Sequence, residues 1–265
     1  MTDRNGLAAE WRPSPNFGAR AEGVATDLII LHYTDMATAE AAIDWLCDPV
    51  SQVSAHYVVA EDGRITQLVA ETDRAWHAGV SCWETETDIN SRSIGIEIAN
   101  AGHDHGYPDF PAVQVEAVIR LCGDIQARHK VKPQGILAHS DVAPGRKRDP
   151  GEKFPWATLA AAGIGHFVPP EPIGGGRAMQ PGDEGYTVGA FQALLFLYGY
   201  GLDVTGVYDE ATVAVVTAFQ RHFRPARVDG IADASTVATL HKLARALAPK
   251  DLAPAVSPIG RIRGW

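Results

Sequence analysis

His139 and Asp149 stand in the stretch 138–151, with Arg146, Lys147 and Arg148 between them. Imidazole and carboxylate both ligate zinc, and a zinc site that keeps one position open takes three protein ligands. This pair lacks a third, and alone it equally describes a solvated basic loop. Three apolar runs add to it: Asp27–Leu31 leads into His32, Ser93–Ile98 contains Glu97, and Ile136–Ala138 leads into His139. In open α/β sheets ligands bind outside the carboxyl ends of strands, so polar groups gathered there are placed for chemistry. His32 then completes a ligand set with His139 and Asp149. Zinc in such a site keeps a position for water and lowers its pKa from about 15.7 toward 7. Glu97, between Gly95 and Ala99 on one strand face, is placed as general base, and Lys147 to stabilise an oxyanion. These are the parts of a metal-assisted amide hydrolase. Pro150 favours an extended residue before it, which would turn Lys147 and Asp149 one way and Arg146 and Arg148 the other.

The elements that must position these groups follow from periodicity. Residues 1–26 contain no periodic run and read as an irregular lead-in. Asp27–Leu31 reads as a strand buried on both faces. Residues 37–47 read as a helix with Ala41, Ile43, Leu46 and Cys47 on its apolar stripe. The runs 55–60 and 64–69 flank Asp62-Gly63 and predict a hairpin. Residues 81–92 are polar and read as a loop. In 93–100, Ile94, Ile96 and Ile98 face one way and Gly95, Glu97 and Ala99 the other. A helix over 111–130 would bury Val118, Leu121, Cys122 and Ile125. A strand ending at His139 and a short helix after Pro155-Trp156 complete the order β-α-β-β-β-α-β-α. That order implies an α/β fold, a mixed central sheet flanked by helices.

Residues 166–180 are rich in Pro and Gly and read as a linker. Beyond it, helical patterns at 186–199, 209–222 and 233–247 predict a small three-helix domain over 181–248. Thr205–Val213 repeats as Asp229–Val237, a Gly turn leading into a helix that Asp209 or Asp233 would cap. No role is assigned to the tail, 249–265.

The 265 residues are 46% hydrophobic and 21% charged, enough for a sizeable core, and a formal net charge of −9 argues against nucleic acid or an anionic membrane as partner. Cys47, Cys82 and Cys122 are widely spaced and suggest free thiols. No segment reads as a signal peptide or membrane span, which suggests a cytoplasmic location, with periplasmic or cell-wall action still open.

Leu31-His32-Tyr33-Thr34, Ser54-Ala55-His56-Tyr57, Ala75-Trp76-His77-Ala78-Gly79, Ser93-Ile94-Gly95-Ile96-Glu97 and the stretch from His139 to Gly151 resemble the type-2 N-acetylmuramoyl-L-alanine amidases, in particular their AmpD-type branch. The resemblance spans residues 10–165 of a catalytic domain set at 1–165. It implies a zinc enzyme cutting the amide between N-acetylmuramic acid, or its anhydro form, and the L-alanine of the stem peptide. The ligands it implies are His32, His139 and Asp149, with Glu97 and Lys147 catalytic. His77 matches a motif near the cleft and is a candidate substrate contact, as are Tyr33, Trp76 and Asn100. His56 reads as a core histidine, and His103 and His105 as surface residues. Residues 180–245 resemble the type-1 peptidoglycan-binding domain, with Thr205 where its turn usually has Asp. Peptidoglycan polymer or its fragments are the implied partners. A non-catalytic wall-recognition or regulatory protein and a phage-type endolysin remain alternatives.

Overall fold

The computed structural model describes residues 9–176 and 178–247; the tail, 249–265, lies outside the described residues. The chain runs β1 (Glu10–Trp11), β2 (Phe17–Ala19), β3 (Leu28–Tyr33), α1 (Ala39–Cys47), β4 (Tyr57–Val59), β5 (Ile65–Gln67), β6 (Asp73–Ala75), α2 (Ile89–Arg92), β7 (Ser93–Ile98), α3 (Ala112–His129), β8 (Ile136–Ala138), α4 (His139–Val142), α5 (Trp156–Ala161), α6 (Tyr186–Tyr198), α7 (Glu210–Phe223) and α8 (Ala234–Ala246). Six strands form a mixed sheet in the order β1-β5-β4-β7-β3-β8. The predicted hairpin is β4–β5, the sheet's only antiparallel pair among the described residues; β3 lies parallel between β7 and β8.

Register decides what the sheet can do. His32 on β3 pairs with Glu97 on β7, and Leu31 pairs with Ala138, so His139 follows in the same row. Alternation then sets the faces. Ile29, Leu31, Ile94, Ile96, Ile98, Ile136 and Ala138 pack on the α3 side against Val118, Leu121, Cys122 and Ile125. Leu28, Ile30 and Leu137 point to the opposite side, and so do His32, Glu97 and His139.

That opposite face has two covers. Near β4, Val58 meets Ile43 and Leu46 of α1, whose first turn is capped by Thr38 accepting from the Ala41 N–H. Beyond β3, Leu28, Ile30 and Leu137 share one core with Phe191, Leu195, Val215 and Phe219 of the C-terminal helices. The cleft lies between the covers.

Some expectations need correction. The lead-in holds β1, parallel to β5, and β2, antiparallel to β6; strands of two and three residues are too short to show a period. The polar segment 81–92 contains α2 and sends Trp83 into the shared core, 2% exposed. The Pro/Gly segment is laid along the helices. Phe167 and Val168 pack on the core, and the Glu171 carbonyl accepts from Ser235 of α8.

The repeat is present as read. Asp209 and Asp233 accept from the Thr212 and Thr236 N–H groups. Buried Gln192 accepts from the Gly206 N–H and donates to the Val207 carbonyl; Gln220 does the same with Gly230 and Ile231. Thr205 Oγ1 accepts from the Val207 N–H at 3.2 Å, as Asp229 Oδ1 does from Ile231 at 3.1 Å. The hydroxyl does the work of the missing carboxylate.

Candidate active site

A cleft of about 330 Å³ opens at the carboxyl ends of β3, β7 and β8. His32, Glu97, His139, Lys147 and Asp149 line it together, as do Tyr33, Trp76 and His77. Asn100 is not among the lining residues: its amide donates to the Pro108 carbonyl and its Oδ1 accepts from the Gly102 N–H, shaping the loop behind Tyr33.

The buried side chains of His32, His139 and Asp149 form a tight triangle. His32 Nδ1 lies 2.8 Å from His139 Nδ1 and 3.1 Å from Asp149 Oδ2, and His139 Nδ1 lies 2.9 Å from Asp149 Oδ2. The edge between ligands of tetrahedral zinc is about 3.3 Å at the usual bond lengths.

Proton positions follow from acceptors that have no choice. Ser93 Oγ donates to the Ile89 carbonyl at 2.6 Å, so it accepts from His77 Nε2–H at 3.1 Å. His77 Nδ1 is then bare and accepts from His32 Nε2–H at 3.1 Å. Likewise His139 Nε2–H donates to the Ala78 carbonyl at 3.1 Å. Both Nδ1 lone pairs therefore face the Asp149 carboxylate with no proton between them. Three electron-rich atoms at this spacing call for a cation, and ligating histidines characteristically donate their other N–H in this way. Burial and His139 lower the His32 pKa to about 4, and burial with three neighbouring histidines holds His77 well below its ordinary value. His32 is thus neutral, as ligation requires, and so is the His77 that accepts from it. The donor set fits zinc.

Gly95 makes the His77 arm possible, because a Cβ there would lie 2.4 Å from His77 Cγ. His56, behind His77, accepts the Gly95 N–H on Nδ1 and donates from Nε2 to the Asp73 carbonyl. It is a satisfied core residue, as read.

Glu97 faces the cleft with Oε2 buried and without a hydrogen-bond partner among the described residues. Burial first, then the charge of Asp149, pushes its pKa well above the ordinary carboxylate value, while Lys147 pulls it down. Lys147 forms no ion pair among the described residues and stays half-buried at the cleft wall. The chain turns here rather than extending, with the Lys147 N–H bonded to the Ala143 carbonyl. Arg146 and Arg148 consequently also line the cleft instead of turning away.

Two groups escaped the sequence reading. Arg146 donates to the carbonyls of Ala78 and Val80 and so fixes the loop after β6, whose Ala78 carbonyl accepts from His139. His103 is no mere surface residue. Its Nδ1 accepts from the Tyr33 hydroxyl at 2.9 Å, its Nε2 donates to Glu152 at 3.1 Å, and its ring stacks on Tyr107. The signal was in the glycines: a Cβ on Gly102 would lie 2.2 Å from Asp35 Oδ1, and one on Gly151 2.2 Å from the Tyr107 hydroxyl.

Residues 22–152 match the N-acetylmuramoyl-L-alanine amidase family, and 184–240 match a peptidoglycan binding domain family. N-acetylmuramoyl-L-alanine amidase AmiD of Escherichia coli (strain K12) is 37% identical over 228 residues, spanning 82% of this chain and 81% of AmiD. The structure of E. coli AmiD with the substrate anhydro-N-acetylmuramic acid-L-Ala-D-gamma-Glu-L-Lys is similar with a TM-score of 0.71 at 35% identity, covering 85% of this chain and 92% of that one. AmpDh3 from Pseudomonas aeruginosa gives a TM-score of 0.70 at 31% identity, covering 92% and 98%.

Proposed function

The chain belongs to the N-acetylmuramoyl-L-alanine amidase family, and from that premise we propose that it is a zinc hydrolase whose ligands are His32, His139 and Asp149. Its substrate on this reading is the amide between N-acetylmuramic acid, in normal or anhydro form, and the L-alanine of a stem peptide. The observation that carries the assignment is the convergence of two bare Nδ1 atoms and a carboxylate within 3.1 Å. Bound zinc would supply Lewis-acid polarisation of the scissile carbonyl and make water more acidic.

The protein's own groups supply the rest. Glu97, which lines the cleft with one oxygen left unpaired among the described residues, takes a proton from the attacking water and returns it to the departing amine. A raised pKa suits both halves of that transfer. Lys147 lines the cleft wall, placed to meet the negative charge that grows on the carbonyl oxygen, and among the described residues it has no carboxylate partner to give up. His77 uses both ring nitrogens inside the protein, so its role is to orient His32 rather than to bind substrate. Tyr33 and Trp76 remain candidate substrate contacts.

The soluble anhydromuropeptide is the first substrate to test, since that is the class of ligand in the AmiD complex. Within the chain we assign catalysis to 1–165, the connecting segment to 166–180 and wall recognition to 181–248. No helix among the described residues is long and apolar enough to cross a membrane.

The experiment is hydrolysis of a purified anhydromuropeptide with chelator and with zinc restored. Release of free stem peptide that stops with chelator and returns with zinc is expected. If zinc is bound and neither muropeptide nor intact wall is cut, the non-catalytic recognition reading replaces this one.

A further inference from the structure

The segment carrying two of the three assigned ligands is gripped from the C-terminal helices. Asp141 lies two residues beyond His139 and is fully buried. Its Oδ2 accepts from the Ala138 N–H at 2.8 Å and from His222 Nδ1 at 2.6 Å, and its Oδ1 accepts from the Tyr200 hydroxyl at 2.8 Å. A buried carboxylate is tolerated only when paired and hydrogen-bonded, and two of these three donors belong to the C-terminal unit. The His222 ring stacks between Trp156 and Phe223, centroids 3.7 and 3.8 Å away, so its N–H is firmly aimed.

The contact continues on both sides. Arg221, next to His222, brings Nε to 3.7 Å from Glu152, three residues past Asp149. A Cβ on Gly145 would meet Ala214 of α7 at 3.2 Å, so backbone and helix are close-packed there. In return, Gly199 leaves room for Trp83, whose ring a Cβ would approach to 2.5 Å. Meanwhile α4, with only four residues, is too short to hold itself.

We propose that the C-terminal unit is a positioning element of the metal centre. Through His222 and Tyr200 it holds Asp141, and through Asp141 it sets the backbone that presents His139. The small domain then determines how tightly zinc is held, apart from anything it recognises on the wall. This rests on the ligand assignment above.

The test measures zinc affinity of the full chain by competition with a chelating indicator, alongside the thermal midpoint. Tyr200→Phe/His222→Leu should weaken zinc binding about tenfold, within the range for partners outside the ligand set. Restoring a donor near the Nδ1 position, in Tyr200→Phe/His222→Asn, should recover part of that loss. Tyr208→Phe removes a hydrogen bond to the Gly230 carbonyl elsewhere in the unit; it should lower the midpoint and leave affinity unchanged. If the double variant does not fold, Tyr200→Phe alone, which keeps the ring, carries the test with a loss of about fivefold. Unchanged affinity in folded Asp141-contact variants overturns the proposal, and so does an equal loss in Tyr208→Phe. Absence of zinc uptake by the unsubstituted chain removes the ligand assignment, and this inference with it.

Discussion

Substituting Gly95 by alanine places a methyl group where His77 now stands. The added carbon would lie 2.4 Å from Cγ, 2.5 Å from Cδ2 and 2.6 Å from Nδ1 of that ring, distances no real contact shows. Gly95 cannot yield easily, because β7 is held between β3 and β4. The ring must move, and with it the acceptor for His32 Nε2–H. Overpacking of this kind costs about 1–3 kcal/mol, a fall of roughly 2–4 °C in Tm for each kcal/mol in a chain of this size. Loss of the orienting bond should weaken zinc binding by about 10- to 100-fold. Differential scanning calorimetry and chelator competition read the two effects separately. The double variant Gly95→Ala/His77→Ala relieves the clash but not the missing acceptor, so the midpoint should recover while affinity stays low. Wild-type zinc affinity in Gly95→Ala would refute the reasoning that runs from Gly95 through His77 to His32.

Other outcomes follow from the same structure. Glu97→Gln should retain zinc and lose about 10²–10⁴ in kcat on an anhydromuropeptide, measured by release of free stem peptide. Lys147→Met should lower kcat by about 10²–10³ with little change in KM, because the charge is used as the oxyanion develops. Asp149→Asn should abolish zinc uptake by metal analysis while circular dichroism shows the fold retained. Away from the cleft, burial would raise the Glu71 pKa, but hydrogen bonds from His129, Arg128 and Tyr57 hold it down to about 2. A depressed carboxylate stabilises the fold above its unfolded value near 4.5, and that gain is lost as pH falls through about 2. Urea unfolding should therefore show up to about 3 kcal/mol lost between pH 6 and pH 2, a loss that Glu71→Gln should largely remove from the profile.

Periodicity and strand-end polarity in the sequence brought out the row of His32, Glu97 and His139, because parallel strands of apolar residues align their exits. The hairpin, α3 and the capped repeat were legible for the same local reasons. What escaped depends on contacts distant in sequence. Trp83 lies in a polar segment and is buried against Tyr198 and Tyr200, where Gly199 makes room for its ring. His103 becomes ordered only where Tyr33, Tyr107 and Glu152 meet. Asp141 reads as one more loop acid beside a histidine until α7 brings His222 to it. The Pro/Gly composition of 166–180 reads as a linker, and composition alone does not show that Phe167 and Val168 pack on the shared core. Local pattern marks elements, and tertiary contact decides which side chains between them are buried.

The most direct measurement is an anomalous difference map at the zinc edge from crystals of the zinc-loaded full chain. One strong peak should appear about 2.0–2.1 Å from Nδ1 of both His32 and His139 and about 2.0–2.2 Å from the Asp149 carboxylate. A peak coordinated elsewhere, or the absence of a peak between these three side chains in zinc-loaded crystals, would contradict the assignment on which the proposed chemistry depends.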